Sequence, residues 1–182
     1  MDPATLLIDS SIARARMIAD LARQSTEFRH SLLQICRQDR HQISPRAAHA
    51  LGVCAENNPG IIQDSMPEII ETLCHVKNGS TRRNLLRIFT FSPLPDDDHC
   101  HGLLMDRCFK WLNDPSEAIA MKIYAMDVLC KLTEFYPDIG QELSETVEAL
   151  IERDSSAIRY HGTYVLRRLN KLISNDNNMT ES

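Results

Sequence analysis

The residues best equipped for chemistry stand together at Asp96-Asp97-Asp98-His99-Cys100-His101. Carboxylate, imidazole and thiolate are all zinc ligands. Asp97 and His101 are four apart and share a helical face, whereas His99 and His101 are two apart and diverge on a helix. A structural zinc needs further ligands, and no second His/Cys cluster at fixed spacing supplies them. The same acids suit the positive end of a helix dipole, so Asp97, His99, Cys100 and His101 read as a solvated helix start. Nucleophilic catalysis has no better support. The chain lacks a Gly-x-Ser-x-Gly elbow, a glycine-rich phosphate loop and any protease-like cysteine motif. The neighbours Cys74-His75 and His99-Cys100 would point ~100° apart on a helix. His49 is expected to pack within its own helix. No catalytic residue, metal or cofactor is therefore expected.

Charge is the next candidate. The 182 residues carry a net charge of −5, unevenly divided. Residues 1–91 hold 11 basic and 9 acidic side chains, and residues 92–182 hold 9 and 16. The basic half is mostly arginine (Arg14, Arg16, Arg23, Arg29, Arg37, Arg40, Arg46, Arg82, Arg83 and Arg87), the side chain suited to forked contacts with phosphate or carboxylate. Nucleic-acid domains are usually clearly basic, and this chain is not, so nucleic-acid binding by this half is the alternative reading rather than the leading one. Trp111, the single tryptophan, reads as a core residue at helical spacing or, less simply, as a partner-facing anchor.

The elements that must position these residues are helices throughout. Ser10 or Ser11 caps a helix to about Arg23, and Ser25 caps one from Thr26 to about Asp39. Ser44-Pro45 opens the next, ending near Asn57-Asn58-Pro59. A helix broken at Pro67 follows, stopped by Asn78-Gly79, and Ser80 caps the segment to about Phe91. Pro93 and Pro95 impose a loop before a helix from the Asp96 cluster to Leu112. Asn113-Asp114-Pro115-Ser116 leads into a helix to about Tyr136. Pro137-Asp138 opens one to about Arg153, and Ser155 or Ser156 caps the last, to about Ile173. No alternating strand pattern is found, and no apolar run approaches the ~20 residues of a membrane span. The acidic N-terminus lacks the basic start of a secretory signal. Six scattered cysteines without a C-x-x-C pair read as reduced core residues. The expected setting is cytoplasmic, with no membrane contact.

The helices also repeat. Arg46, Arg82, Lys122 and Arg159, each near the start of a hairpin's first helix, are 36, 40 and 37 residues apart. An apolar cluster follows each one. A period of this length, one helical hairpin per repeat, marks an α-solenoid. Ser44 to Gly52, and Asn113 to Lys122 with its Asp-Pro turn and later basic residue, resemble the first helices of HEAT repeats. Together with Cys108 to Leu112, Ala120 to Met126 and Tyr164 to Leu169, their order resembles small bacterial HEAT/armadillo-like proteins over about residues 10–170. The resemblance implies an all-α fold, an α-α superhelix of about four hairpins plus a terminal helix. Length points to one domain, expected over residues 1–174, and the polar composition of 175–182 to a disordered tail. The resemblance is nearly silent on activity, and the leading expectation is a non-enzymatic interaction module. In solenoids the second helix of each hairpin commonly lines the concave, binding face. Those helices are expected near 25–38, 61–76, 97–112 and 138–152. Their polar positions, Arg29, His30, Arg37, Asp64, Glu68, Glu71, Asp106, Lys110, Glu142, Glu145 and Glu148, are the candidate contacts for a protein or peptide partner.

Overall fold

A computed structural model describes residues 2–180, with side chains for 2–172. It is all-α and of the helical-repeat solenoid class, with no strand among the described residues. The chain divides into two compact units, Met1–Leu103 and Leu104–Ser182.

The first unit opens with a 3-10 turn, Pro3–Leu6, capped by Asp2. Helices α1 (Ile12–Gln24), α2 (Thr26–Arg37), α3 (Ile43–Asn57), α4 (Met66–His75) and α5 (Gly79–Phe91) follow. They form two layers: α3 packs between α1 and α5, while α2 packs on α3 and α4. Spacing explains the burial. Ala15, Ile18, Ala19 and Ala22 on α1, and Met66, Ile69, Ile70 and Leu73 on α4, recur at i, i+3, i+4 and i+7, which is one helical face. The central helix needs more than one face, and α3 buries a nearly continuous run from Ala47 to Ala55, interrupted only at His49. Its small residues let three neighbours approach.

Helix α6 (Asp98–Asn113) carries the boundary between the units. The second unit contains α7 (Ile119–Leu132), α8 (Ile139–Arg153) and α9 (Ser156–Thr180), each packed against the other two. Gly162 lets α9 lie tightly against α8. A Cβ there would meet Val147 and Ile151 side chains at 3.0 Å, so a glycine admits the contact. The tail expected at 175–182 falls where side chains are not described, and 181–182 lie outside the described residues.

Ser11 and Ser25 cap α1 and α2 as the sequence predicts, their hydroxyls accepting from the Arg14 and Phe28 amides. Three helix starts differ. At α5 the cap is Asn78, not Ser80: its Oδ1 accepts from the Ser80 and Thr81 amides at 3.0 and 3.1 Å. Ser44 lies inside the first turn of α3, where its buried hydroxyl donates to the Ile35 carbonyl at 2.6 Å and accepts from the Arg40 amide at 2.8 Å. Helix α7 begins only at Ile119, because Asp114 Oδ1 draws the Ser116 amide and hydroxyl into a turn.

All six cysteines are free; five are buried and Cys74 is partly exposed. Burial pushes the thiols of Cys36, Cys54, Cys100 and Cys130 above the ordinary range, which suppresses the reactive thiolate. Titration of the native protein with a chromogenic disulfide reagent at pH 8 is expected to show about one fast-reacting thiol, and all six cysteines once the chain is unfolded. Two or more fast thiols in the native state would contradict this packing.

Candidate functional site

On α2, His30, Gln34 and Arg37 stand at i, i+4 and i+7. On α4, Glu68, Glu71, Thr72 and His75 stand at i, i+3, i+4 and i+7. Packing of α2 on α4 brings the two sets together. Glu68 lies 2.7 Å from His30 Nδ1 and 3.5 Å from Arg37. Arg37 also donates to Thr72 Oγ1 through Nε at 3.1 Å and to Glu71 Oε2 through Nη2 at 3.1 Å. Thr72 is held in turn by the Glu68 carbonyl at 2.7 Å. A shallow groove of about 340 Å³ opens beside this network, lined by Arg37, Asp39, Glu71, Thr72 and His75. Four of the expected contact residues, His30, Arg37, Glu68 and Glu71, thus converge in a mixed-charge, half-exposed patch.

Two other expected residues of this unit lie elsewhere. Arg29 is not on the surface: it is 4% exposed, with Nη1 donating to the Ala22 carbonyl at 2.8 Å and Nη2 to Thr26 Oγ1 at 2.9 Å. Ala22 sits in the last turn of α1, whose carbonyls have no partner within the helix, so Arg29 closes that helix end. Asp64 is exposed on a 3-10 turn, Pro59–Ser65, and takes no part in the network.

In the second unit Asp106 and Lys110 form an exposed i,i+4 pair at 2.9 Å on α6. Glu142, Glu145 and Glu148 are exposed on α8, and among the described residues no cation pairs with any of them. Gln141 reaches Glu145 at 3.0 Å. These carboxylates form a stripe whose members turn by ~60° from one to the next.

The Asp96 to His101 segment is organised as a helix start. Asp97 Oδ1 accepts from the Cys100 amide at 3.0 Å, and that bond holds the Asp97 carboxyl below the ordinary aspartate range. Cys100 and His101 turn into the core while His99 stays exposed. No group of three or more His, Cys, Asp or Glu side chains converges as a metal site among the described residues. Trp111 is buried.

Sequence reasoning missed a second groove of the first unit, between α3 and α5, of about 410 Å³. Its signal was present as spacing: Gln42, Arg46 and His49 at i, i+4 and i+7, and Ser80, Arg83 and Asn84 at i, i+3 and i+4. His49 is half-buried at that groove rather than enclosed in its helix.

No curated protein and no solved structure matches the chain. Its sequence does match the family of HEAT repeat domains over residues 4–169, which takes in the helical layers of both units, and the chain belongs to that family.

Proposed function

We propose that the chain is a non-enzymatic interaction module that binds a protein or peptide through the exposed faces of its second helices, α2 and α4 in the first unit and α8 in the second. HEAT repeat domains generally serve as protein-interaction scaffolds, and typically not as enzymes. The observation that carries the reading is the α8 stripe. Glu142, Glu145 and Glu148 present negative charge with no cation among the described residues to satisfy it. Carboxylates left this way favour a partner segment rich in lysine or arginine and speed its encounter. The α2–α4 patch offers both signs of charge and a groove, which suits a polar peptide.

The arginine-rich half supports a nucleic-acid reading less well. Arg29 is buried, Arg37 is engaged by Glu68 and Glu71, and Arg87 is paired with Glu56 at 2.9 Å. Six free thiols support a reducing, cytoplasmic setting. No helix among the described residues is long and apolar enough to cross a membrane.

Selection from a random peptide display library against the intact protein tests this. Enriched sequences are expected to be basic. A Glu145→Lys/Glu148→Lys variant should bind them at least tenfold more weakly, with an unchanged helical circular-dichroism spectrum. Enrichment of acidic or apolar peptides, or equal binding by the variant, would sink the assignment to α8.

A further inference from the structure

We infer that the groove between α3 and α5 is a binding site for the phosphate group of a small phosphorylated molecule. The groove measures about 410 Å³, within the range of small-ligand sites. Its lining includes two guanidinium groups, Arg46 and Arg83, with the polar side chains of Gln42, Ser80 and Asn84, and no carboxylate. A tetrahedral dianion is the ligand for which two planar, permanently charged forks and neutral donors are matched. A carboxylate or sulfonate offers fewer oxygens or less charge to the same donors.

Most of the positive charge of the groove is not consumed internally. Arg83 is exposed and makes no ion pair or hydrogen bond among the described residues. Arg46 donates one bond, Nη1 to the Leu7 carbonyl at 2.9 Å, which orients its guanidinium while leaving further N–H groups available. The acids nearby are held mainly by other groups, although Asp9 also feels the charge of Arg46. Glu56 is held by Arg87 at 2.9 Å, and Asp9 faces Arg14 at 3.7 Å and accepts from the Ser11 amide at 2.8 Å. His49 responds to this environment: burial first, and then Arg87 and Arg83, push it below the ordinary histidine range, so it contributes a neutral ring at pH 7.

The walls are built rather than fortuitous. Asn84 Nδ2 donates to the Pro45 carbonyl at 3.1 Å, fixing α5 against the first turn of α3. Arg46 with His49, and Ser80 with Arg83, are three apart on their helices, so each helix turns one functional face to the groove. This face belongs to the first-helix layer and is distinct from the α2–α4 patch, so the inference stands whether or not that patch binds a peptide.

Isothermal titration of the full chain with inorganic pyrophosphate, at constant ionic strength near neutral pH, tests it. Saturable one-site binding is expected. Arg83→Ala should weaken it at least tenfold, and Arg83→Lys should recover part of the loss. Arg16→Ala, which removes an exposed α1 arginine outside the groove, should leave affinity within twofold. Arg83 has no partner among the described residues, so its variants should fold, which circular dichroism checks. Absence of saturable heat, or equal losses in the Arg83 and Arg16 variants, would overturn the site. So would binding of a short DNA duplex that pyrophosphate fails to displace, since that would make the face a polymer-binding surface.

Discussion

Asp154→Ala is expected to lower the unfolding free energy by about 3 kcal/mol, read from equilibrium urea denaturation followed by circular dichroism. Lys122 is 4% exposed, and its Nζ lies 2.9 Å from Asp154 Oδ2 at the loop between α8 and α9. Removing the carboxylate strands a buried ammonium, and desolvating an unpaired charge costs more than the pair contributes. The reciprocal variant should be milder. Asp154 keeps 19% of its side chain exposed, so in Lys122→Met it can turn to water while the thioether fills the cavity, at a cost of about 1 kcal/mol. That asymmetry is the signature of one buried and one wet partner. Equal losses from both variants would count against it.

The same pair sets an acid dependence. Lys122, and next the Ser155 amide, hold the Asp154 carboxyl below the ordinary aspartate value. A depressed carboxyl stabilises the fold fully above its unfolded value, about 3.9, and the contribution fades as pH falls through the folded value. The gap between wild type and Asp154→Ala should therefore be flat from pH 5 to pH 7 and close below about pH 3.9.

Local order was legible in the chain wherever one helix decides it. The i, i+3, i+4, i+7 sets of α1 and α4 and the caps at Ser11 and Ser25 need no knowledge of neighbours. The period of basic residues picked out Lys122 as a repeat marker, but its partner stands 32 residues away, beyond any local pattern. Ser44 reads as a cap by type, yet the Ile35 carbonyl and Arg40 amide of the preceding turn take its hydroxyl. Arg29 shows the same limit at the candidate surface. Its place on α2 is that of a contact residue, but an open carbonyl at the end of α1 draws it inward. The convergence of His30, Arg37, Glu68 and Glu71 was legible as a shared layer of second helices, and the pairings within it were not, because they depend on how α2 sits on α4.

Asp39→Ala should cost about 2–3 kcal/mol, for two separable reasons. Asp39 ends α2 in the left-handed region, with φ of 52°, where glycine is the usual residue. An aspartate tolerates that conformation better than alanine does, so the substitution adds roughly 1 kcal/mol of backbone strain. Its carboxylate also accepts from the Lys77 and Asn78 amides at 2.8 and 3.1 Å, tying the loop after α2 to the loop after α4. Those amides lose charged acceptors when the side chain is removed, and partial solvation keeps the loss near 2 kcal/mol. Asp39→Gly separates the two causes: it accepts the backbone angle freely and still lacks the bonds, so it should lose less than alanine. Asp39→Asn tolerates the left-handed angle and keeps one acceptor oxygen, and should lose least. The expected order of stability, Asn above Gly above Ala, assigns the loop-to-loop tie to the side chain. A glycine variant as stable as wild type would reduce Asp39 to a helix stop, and the stacking of the first two repeats would then rest on the apolar contacts of α2, α3 and α4 and on the polar pairs of His30 and Arg37 with Glu68, Glu71 and Thr72.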